Sequence, residues 1–324
     1  MARISRKTRE ILEIVIFLLV VGILLTTFVI YPLSSTRNQF ARPDLDDYDT
    51  DVQDSLRINE DGVYSQLDAS IDTFFVDADG LTTMACLYVS PAPFDSLRGT
   101  IILLHGDNEN RDSVFSLATA LVDSGFGVAA YDQRASRYSG GKYRGEGRLE
   151  ANDLDEIIRY LDLRNKLAHP VIVAGYETGG DAGMIMAREE SRIDAVVAVD
   201  PYLTTRRWQD LTKERHGAYW LPFYRTVTWF WYEIRSGYAV DYRDKEELQP
   251  TGRPSILFIS NELQNDETVF HLAEISDENL LEIRAKEPTD QNVIAAIMEL
   301  HDRVTAHAGT SADQSAPDQA ADGE

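Results

Sequence analysis

The stretch Val171-Ile172-Val173-Ala174-Gly175-Tyr176-Glu177-Thr178-Gly179-Gly180-Asp181-Ala182-Gly183-Met184 decides how this chain is read. Its β-branched run breaks at Gly175 and resumes in small residues, which predicts a buried strand, a sharp turn and a helix start. That is the local geometry of a nucleophile elbow, G-x-S-x-G, in which glycines two residues either side of the apex make room for a strained backbone. Gly175 and Gly179 fill both glycine places, and Gly180 follows them. The apex is Glu177, where the pattern has serine.

Working outward, the chain from Gly99 onward alternates short apolar runs with helical patterns. Strands are predicted at Thr100 to Leu104, Val128 to Tyr131, Val171 to Ala174, Ala195 to Val199, Ile256 to Ser260 and Leu280 to Ala285. Helices fall at Ser113 to Ser124, Glu150 to Leu163, after the elbow, and at Asn292 to Val304. Such alternation implies an α/β fold, a mostly parallel, doubly wound sheet covered on both faces. Before it, Ile71 to Val76 and Thr82 to Val89 flank the turn signal Ala78-Asp79-Gly80, which predicts a hairpin.

The N-terminal segment has a different character. Residues 1–10 carry Arg3, Arg6, Lys7 and Arg9, and no charge appears from Ile14 to Tyr31. About 18 such residues in a helix reach roughly 27 Å, enough for a bilayer core. Residues 11–32 are therefore expected to form a transmembrane anchor. The run ends in Phe28-Val29-Ile30-Tyr31-Pro32 without a small-residue cleavage site, unlike a signal peptide. The basic cluster ahead of the span places the N-terminus in the cytoplasm and the rest outside it. Residues 33–62, polar and acidic, read as a tether. Residues 307–324, mainly Ala, Asp, Gly and Ser, read as a disordered acidic tail. The globular domain is expected at residues 63–306.

Over 324 residues the formal charge is −23, which excludes nucleic acid as a partner. The single cysteine, Cys86, excludes a disulfide framework and a cysteine-based metal cluster. It sits in an apolar run and is read as a buried packing residue. Neither a cofactor nor a metal is expected.

Residues 201–250 interrupt the strand–helix rhythm with an aromatic, helical insertion. All four tryptophans, Trp208, Trp220, Trp229 and Trp231, lie in it. An insertion after a strand at the carboxyl edge of a parallel sheet sits where a lid over a pocket would be. Most of these rings are read as packing.

Four segments in order resemble the α/β-hydrolase superfamily, in particular membrane-anchored serine hydrolases of the serine-aminopeptidase-like group. They are Leu103-Leu104-His105-Gly106, the loop Tyr131-Asp132-Gln133-Arg134-Ala135-Ser136-Arg137-Tyr138-Ser139-Gly140, the pairs Asp153-Leu154 and Tyr160-Leu161, and the elbow. The resemblance spans about residues 65–304. It implies that backbone N–H groups at Asp107 and Thr178 form an oxyanion hole, with His105 and Gly106 shaping the turn beside it. It places the catalytic acid at Asp266 or Asp200. It also requires a histidine near Lys286 to Asn292, and that segment, Lys286-Glu287-Pro288-Thr289-Asp290-Gln291-Asn292, has none.

Two of three triad members are thus missing. Carboxylates serve as nucleophiles at this elbow in related dehalogenases and epoxide hydrolases, which retain the histidine. Glu177 is instead expected to curl into the hole it flanks, because a helix N-terminus favours an anion. The expectation is a pseudo-hydrolase that binds a small-molecule ligand or protein partner. Two alternatives stand beside it. One is an active hydrolase of ester, amide or carbon–halogen bonds using Glu177, aided by Asp266 or Asp200; the other is a cation-binding structural module built on the carboxylates at this edge.

Overall fold

In the computed structural model, the described residues are 6–30, 69–78, 80, 82–91, 96–107, 109–208, 224–237, 248–260, 266–277, 280–285 and 287–314. The whole of the expected tether at residues 33–62, Trp220 and residues 315–324 lie outside them. The chain divides into two compact units, residues 1–41 with 206–242, and residues 42–205 with 243–324.

The larger unit is built on one eight-stranded sheet. Its strands are β1 (Ala69–Asp77), β2 (Thr83–Pro91), β3 (Thr100–Leu104), β4 (Gly127–Tyr131), β5 (Val171–Tyr176), β6 (Ala195–Val199), β7 (Ser255–Phe258) and β8 (Leu281–Arg284). They lie in the order β1-β2-β4-β3-β5-β6-β7-β8. The expected hairpin is present, with β1 antiparallel to β2 from Ala69 opposite Pro91 to Asp77 opposite Thr83. Its turn is fastened by the Ala78 N–H on Thr82 O at 2.8 Å and the Gly80 N–H on Asp77 Oδ1 at 2.9 Å. From β4 to β8 every pairing is parallel.

The strand composition explains this arrangement. A parallel strand covered on both faces has no polar side to spare, and all five residues of β3, β4 and β6 are buried. One face carries Ile102, Leu104, Val173 and Val196 against α3 (Arg148–Leu163) and α4 (Thr178–Glu189). The other carries Ile101, Leu103, Ile172 and Val197 against α2 (Phe115–Asp123) and the closing helix. Each such side chain removed from water contributes roughly 1.5–3 kcal/mol.

The loop after β4 is an unusually polar part of this core. Arg134 and Asp153 are almost wholly buried and form a two-bond ion pair at 2.8 and 2.6 Å. Asp132 accepts the N–H groups of Arg111 at 3.0 Å and Tyr138 at 3.3 Å, and its carbonyl accepts the Ser139 hydroxyl. The buried acids here hold the loop. Cys86 is a free, buried thiol whose pKa burial pushes up, consistent with a packing role.

The smaller unit contains α1 (Arg6–Leu25), which continues as a π-turn over Thr26–Ile30, and α5 (Tyr224–Ser236), which lies between β6 and β7 in sequence. Arg6–Ile30 is long and apolar enough to cross a membrane, with a mean hydropathy of 2.8 over its most apolar 18 residues and most of its apolar side chains exposed. Within this unit Trp208 and Trp229 stack at 5.5 Å, and Tyr232 meets Trp229 edge-on at 5.3 Å. Beyond β7 come α6 (Glu267–Ile275) and the closing helix α7 (Asp290–Gln314). Helix α7 runs past Val304, so residues 307–314 of the expected tail are helical backbone.

Candidate functional site

The elbow forms as the glycine spacing predicts. Strand β5 ends at Tyr176, α4 begins at Thr178, and Glu177 between them has φ 47° and ψ −116°. A side chain at Gly175 would stand 2.3 Å from the Gly179 carbonyl oxygen, and one at Gly179 would stand 2.7 Å from His105 O. Neither distance is compatible with a Cβ, so both glycines are structural requirements of the turn. The strained apex is pinned on both sides, because Glu177 N–H donates to Val199 O at 2.8 Å and Glu177 O accepts from Asp181 N–H at 3.1 Å.

Glu177 turns its carboxylate back into the site. Its Oε2 accepts the backbone N–H of Asp107 at 2.8 Å. That is one of the two donors the sequence assigns to an oxyanion hole, and the start of α4 adds a favourable dipole for the charge. The neighbouring donor is also taken, since Gly106 N–H gives a 3.0 Å bond to Glu109 Oε2. Consecutive N–H groups of the His-Gly turn are therefore held by the protein's own carboxylates. The Thr178 hydroxyl donates to Asp107 Oδ1, and the buried Tyr202 hydroxyl donates to Asp107 Oδ2 at 3.0 Å. These bonds tie Asp107, Thr178 and Glu177 into one small network.

His105 supports this turn. Its Nε2 accepts Gln133 N–H at 2.9 Å, so the ring proton sits on Nδ1, 2.8 Å from Gly106 O. The Gln133 side chain closes the loop on His105 O. Burial lowers the pKa of this histidine to about 4, which keeps it neutral.

The remaining sequence candidates lie elsewhere in the network or outside it. Asp200 follows β6 with φ 45°, and its Oδ1 accepts Ser260 N–H at 2.5 Å. Asp266 caps α6 by accepting Thr268 N–H at 2.7 Å. Both of these bonds come from backbone N–H groups. His169 pairs with Asp194 at 2.7 Å, and both residues precede their strands, at the sheet edge opposite the elbow. His301 contacts Arg98 O at 3.2 Å and Phe126 edge-on, again at that opposite edge. His271 lies within α6. None of the hydrogen bonds of His105, His169 or His301 reaches Glu177.

Where a triad histidine would follow β8, the chain builds a helix cap. Thr289 Oγ1 accepts Asn292 N–H at 3.3 Å, Thr289 O accepts Val293 N–H at 3.0 Å, and the Asn292 amide donates to Glu287 O at 2.9 Å. Lys286 lies outside the described residues. Asp290 and Glu109 are both close enough to Tyr176 to reinforce, after burial, the upward shift of its phenol. The edge is acidic, yet among the described residues no three His, Cys, Asp or Glu side chains converge as a metal-binding group.

Tyr202, Glu109 and Asp181 are site residues that the sequence reading missed. Asp181 is buried and accepts the N–H groups of Tyr202 at 3.1 Å and Leu203 at 2.7 Å, which positions Tyr202 over Asp107. The only sequence trace of this arrangement is an acid two residues after the glycine of the elbow.

This sheet order and elbow define a class of protein. A family model described as serine aminopeptidase, S33, matches residues 95–249. Among solved structures, an esterase of Pyrococcus furiosus is similar at 20% identity, over 75% of this chain and 91% of the esterase, with a TM-score of 0.54. An α/β hydrolase from Penicillium sp. sh18 is similar at 16% identity, over 74% of this chain and 100% of its own, with a TM-score of 0.51. A 2,6-dihydroxy-pseudo-oxynicotine hydrolase is similar at 15% identity, over 76% of this chain and 72% of its own, with a TM-score of 0.56. No curated protein matches the sequence. The chain has the α/β-hydrolase fold.

Proposed function

We propose that this protein is a membrane-anchored pseudo-hydrolase that keeps the α/β-hydrolase scaffold to bind a ligand or partner and does not turn over esters or amides. The observation that carries this reading is the 2.8 Å bond from Asp107 N–H to the Glu177 carboxylate. A donor that would stabilise a developing oxyanion is already neutralised in the resting protein. Serine hydrolysis also needs a base within hydrogen-bond reach of the nucleophile, and the imidazoles of His105, His169 and His301 are bonded elsewhere.

The apolar helix Arg6–Ile30 and the basic residues at its start support an uncleaved anchor with a cytoplasmic N-terminus and an extracytoplasmic domain. In this reading the insertion at 201–250 acts as a lid. The strained apex favours one rival, in which Glu177 is itself a nucleophile, as aspartate is at the same turn in related enzymes.

One experiment separates the two. The full chain in detergent is exposed to a fluorophosphonate probe and to chromogenic short-chain esters, beside a Glu177→Gln variant. The pseudo-hydrolase reading expects no labelling and no turnover in either protein. Turnover that disappears in Glu177→Gln would establish the rival, and labelling by the probe would reveal an activated serine.

A further inference from the structure

Helix α5 has two apolar stripes, and one core accounts for only one of them. Thr228, Trp229 and Tyr232 are buried, and the ring contacts among Trp208, Trp229 and Tyr232 explain why. The second stripe is Val227, Phe230, Trp231 and Ile234, at spacings of three, one and three residues along the helix. These positions fall on one face of a helix. Phe230 is 54% and Ile234 58% exposed, while Val227 and Trp231 are half-buried. Soluble surfaces tolerate single exposed apolar residues, but a ridge at helical spacing marks a contact.

The occupant is indicated by where the ridge touches the rest of its own unit. The Trp231 indole N–H donates to Phe28 O at 3.3 Å, in the π-turn that ends the apolar N-terminal helix. Phe230 packs edge-on to Trp231 at 5.4 Å, so the ridge is continuous with the end of that helix. The end of a membrane span is the headgroup region, where tryptophan is favoured because its ring is apolar and its N–H is polar. Glu233 and Arg235 flank the ridge on the exposed face, as expected of a helix lying in the interface plane.

We infer that α5 is a second membrane contact, lying in the lipid interface of the leaflet where the span ends, with Val227, Phe230, Trp231 and Ile234 facing the acyl chains. The inference rests on the reading of residues 11–32 as a membrane anchor. Its consequence is that the chain inserted between β6 and β7 is held at the bilayer surface by its own side chains as well as by the tether. With a formal charge of −23, the attraction is apolar, so a zwitterionic bilayer suffices.

The test uses the full chain in phosphatidylcholine nanodiscs with one nitroxide label at a time, introduced through Thr226→Cys, Val227→Cys, Phe230→Cys, Glu233→Cys or Ile234→Cys. Cys86 is buried and does not compete for the label. Collision rates with oxygen, which partitions into lipid, and with a water-soluble nickel chelate are compared. The expected result is several-fold higher oxygen and lower nickel accessibility at 227, 230 and 234 than at 226 and 233. Uniform nickel accessibility along α5 overturns the inference, and so does low accessibility to both reagents with spin–spin broadening at 230, which would mean that a second copy covers the ridge. A label at Leu19→Cys tells the two readings apart. If Leu19 is in lipid and α5 in water, only the α5 inference fails; if Leu19 is in water, the anchor fails too.

Discussion

Two turns at the carboxyl edge of the same sheet are built in opposite ways. The turn after β5 retains every costly feature of a catalytic elbow: two obligatory glycines, an apex at φ 47°, and backbone bonds that hold it there. The turn after β8, where such folds carry the base, is an ordinary helix cap made by Thr289 and Asn292. The difference separates what packing enforces from what chemistry requires. A positive φ at a glutamate costs on the order of 1–3 kcal/mol and persists only where its surroundings over-determine it. Here they do so through backbone bonds alone, because the strand on one side and the helix on the other fix both ends of the apex. Strain in this molecule therefore reports the fold.

If the elbow is set by packing, the largest effect should come from filling its void. Gly175→Ala places a Cβ 2.3 Å from the backbone oxygen of Gly179, an atom that cannot swing aside. The variant should lose about 3 kcal/mol or more of unfolding free energy, in the range of overpacked cores and broken special backbone sites. Urea unfolding followed by circular dichroism measures it. A loss below about 1 kcal/mol would mean that the turn relaxes freely, and the contrast between the two turns would lose its basis.

Acid sharpens the same contrast. His105 beside the elbow has its pKa lowered to about 4 in the fold, against an ordinary value of 6.5. The unfolded chain thus binds a proton between these values that the native turn refuses, and stability falls as pH drops from about 6.5 toward 4. The full difference corresponds to about 3 kcal/mol. His105→Asn should flatten the pH dependence of the melting temperature in that window, although it starts from a less stable protein. A profile unchanged by the substitution would show that the His-Gly turn is not where the acid sensitivity resides.

Much of the architecture was legible in the sequence because burial on both sheet faces leaves a plain signature. The runs Thr100 to Leu104 and Ala195 to Val199 are apolar or small throughout and became fully buried strands. The glycine pair at 175 and 179 announced the elbow, since no other residue fits, and the electrostatics of a helix start foretold the inward Glu177 carboxylate. What stayed illegible depends on tertiary approach. Nothing near Tyr202 in sequence marks it as a partner of Asp107, because Asp181 brings it there from the far side of a helix and a strand. The Glu109 bond to Gly106 N–H was likewise invisible, being a conformation of one side chain in a short loop. The end of α7 was misplaced because alanine, a strong helix former, was read with its polar neighbours as tail.

The smallest expected effect comes from restoring the serine alone. Glu177→Ser leaves the glycines and the backbone bonds untouched, so its stability should stay within about 1 kcal/mol of the parent, water replacing the carboxylate on the half-buried Asp107 N–H. It also vacates that donor for an incoming oxyanion. Yet a serine hydroxyl without a base lacks a contribution of about 10²–10⁴ in rate, and the cap after β8 offers none. Fluorophosphonate labelling of Glu177→Ser should therefore remain at the background of the parent. Labelling of the single variant would mean that some other group serves as base, and the two turns would no longer be independent. Adding Asn292→His to Glu177→Ser then refines the comparison, because labelling that appears only in the double variant shows that a base in the turn after β8 is what serine chemistry requires here, and labelling that appears in neither means that placing the two side chains does not by itself build a working triad.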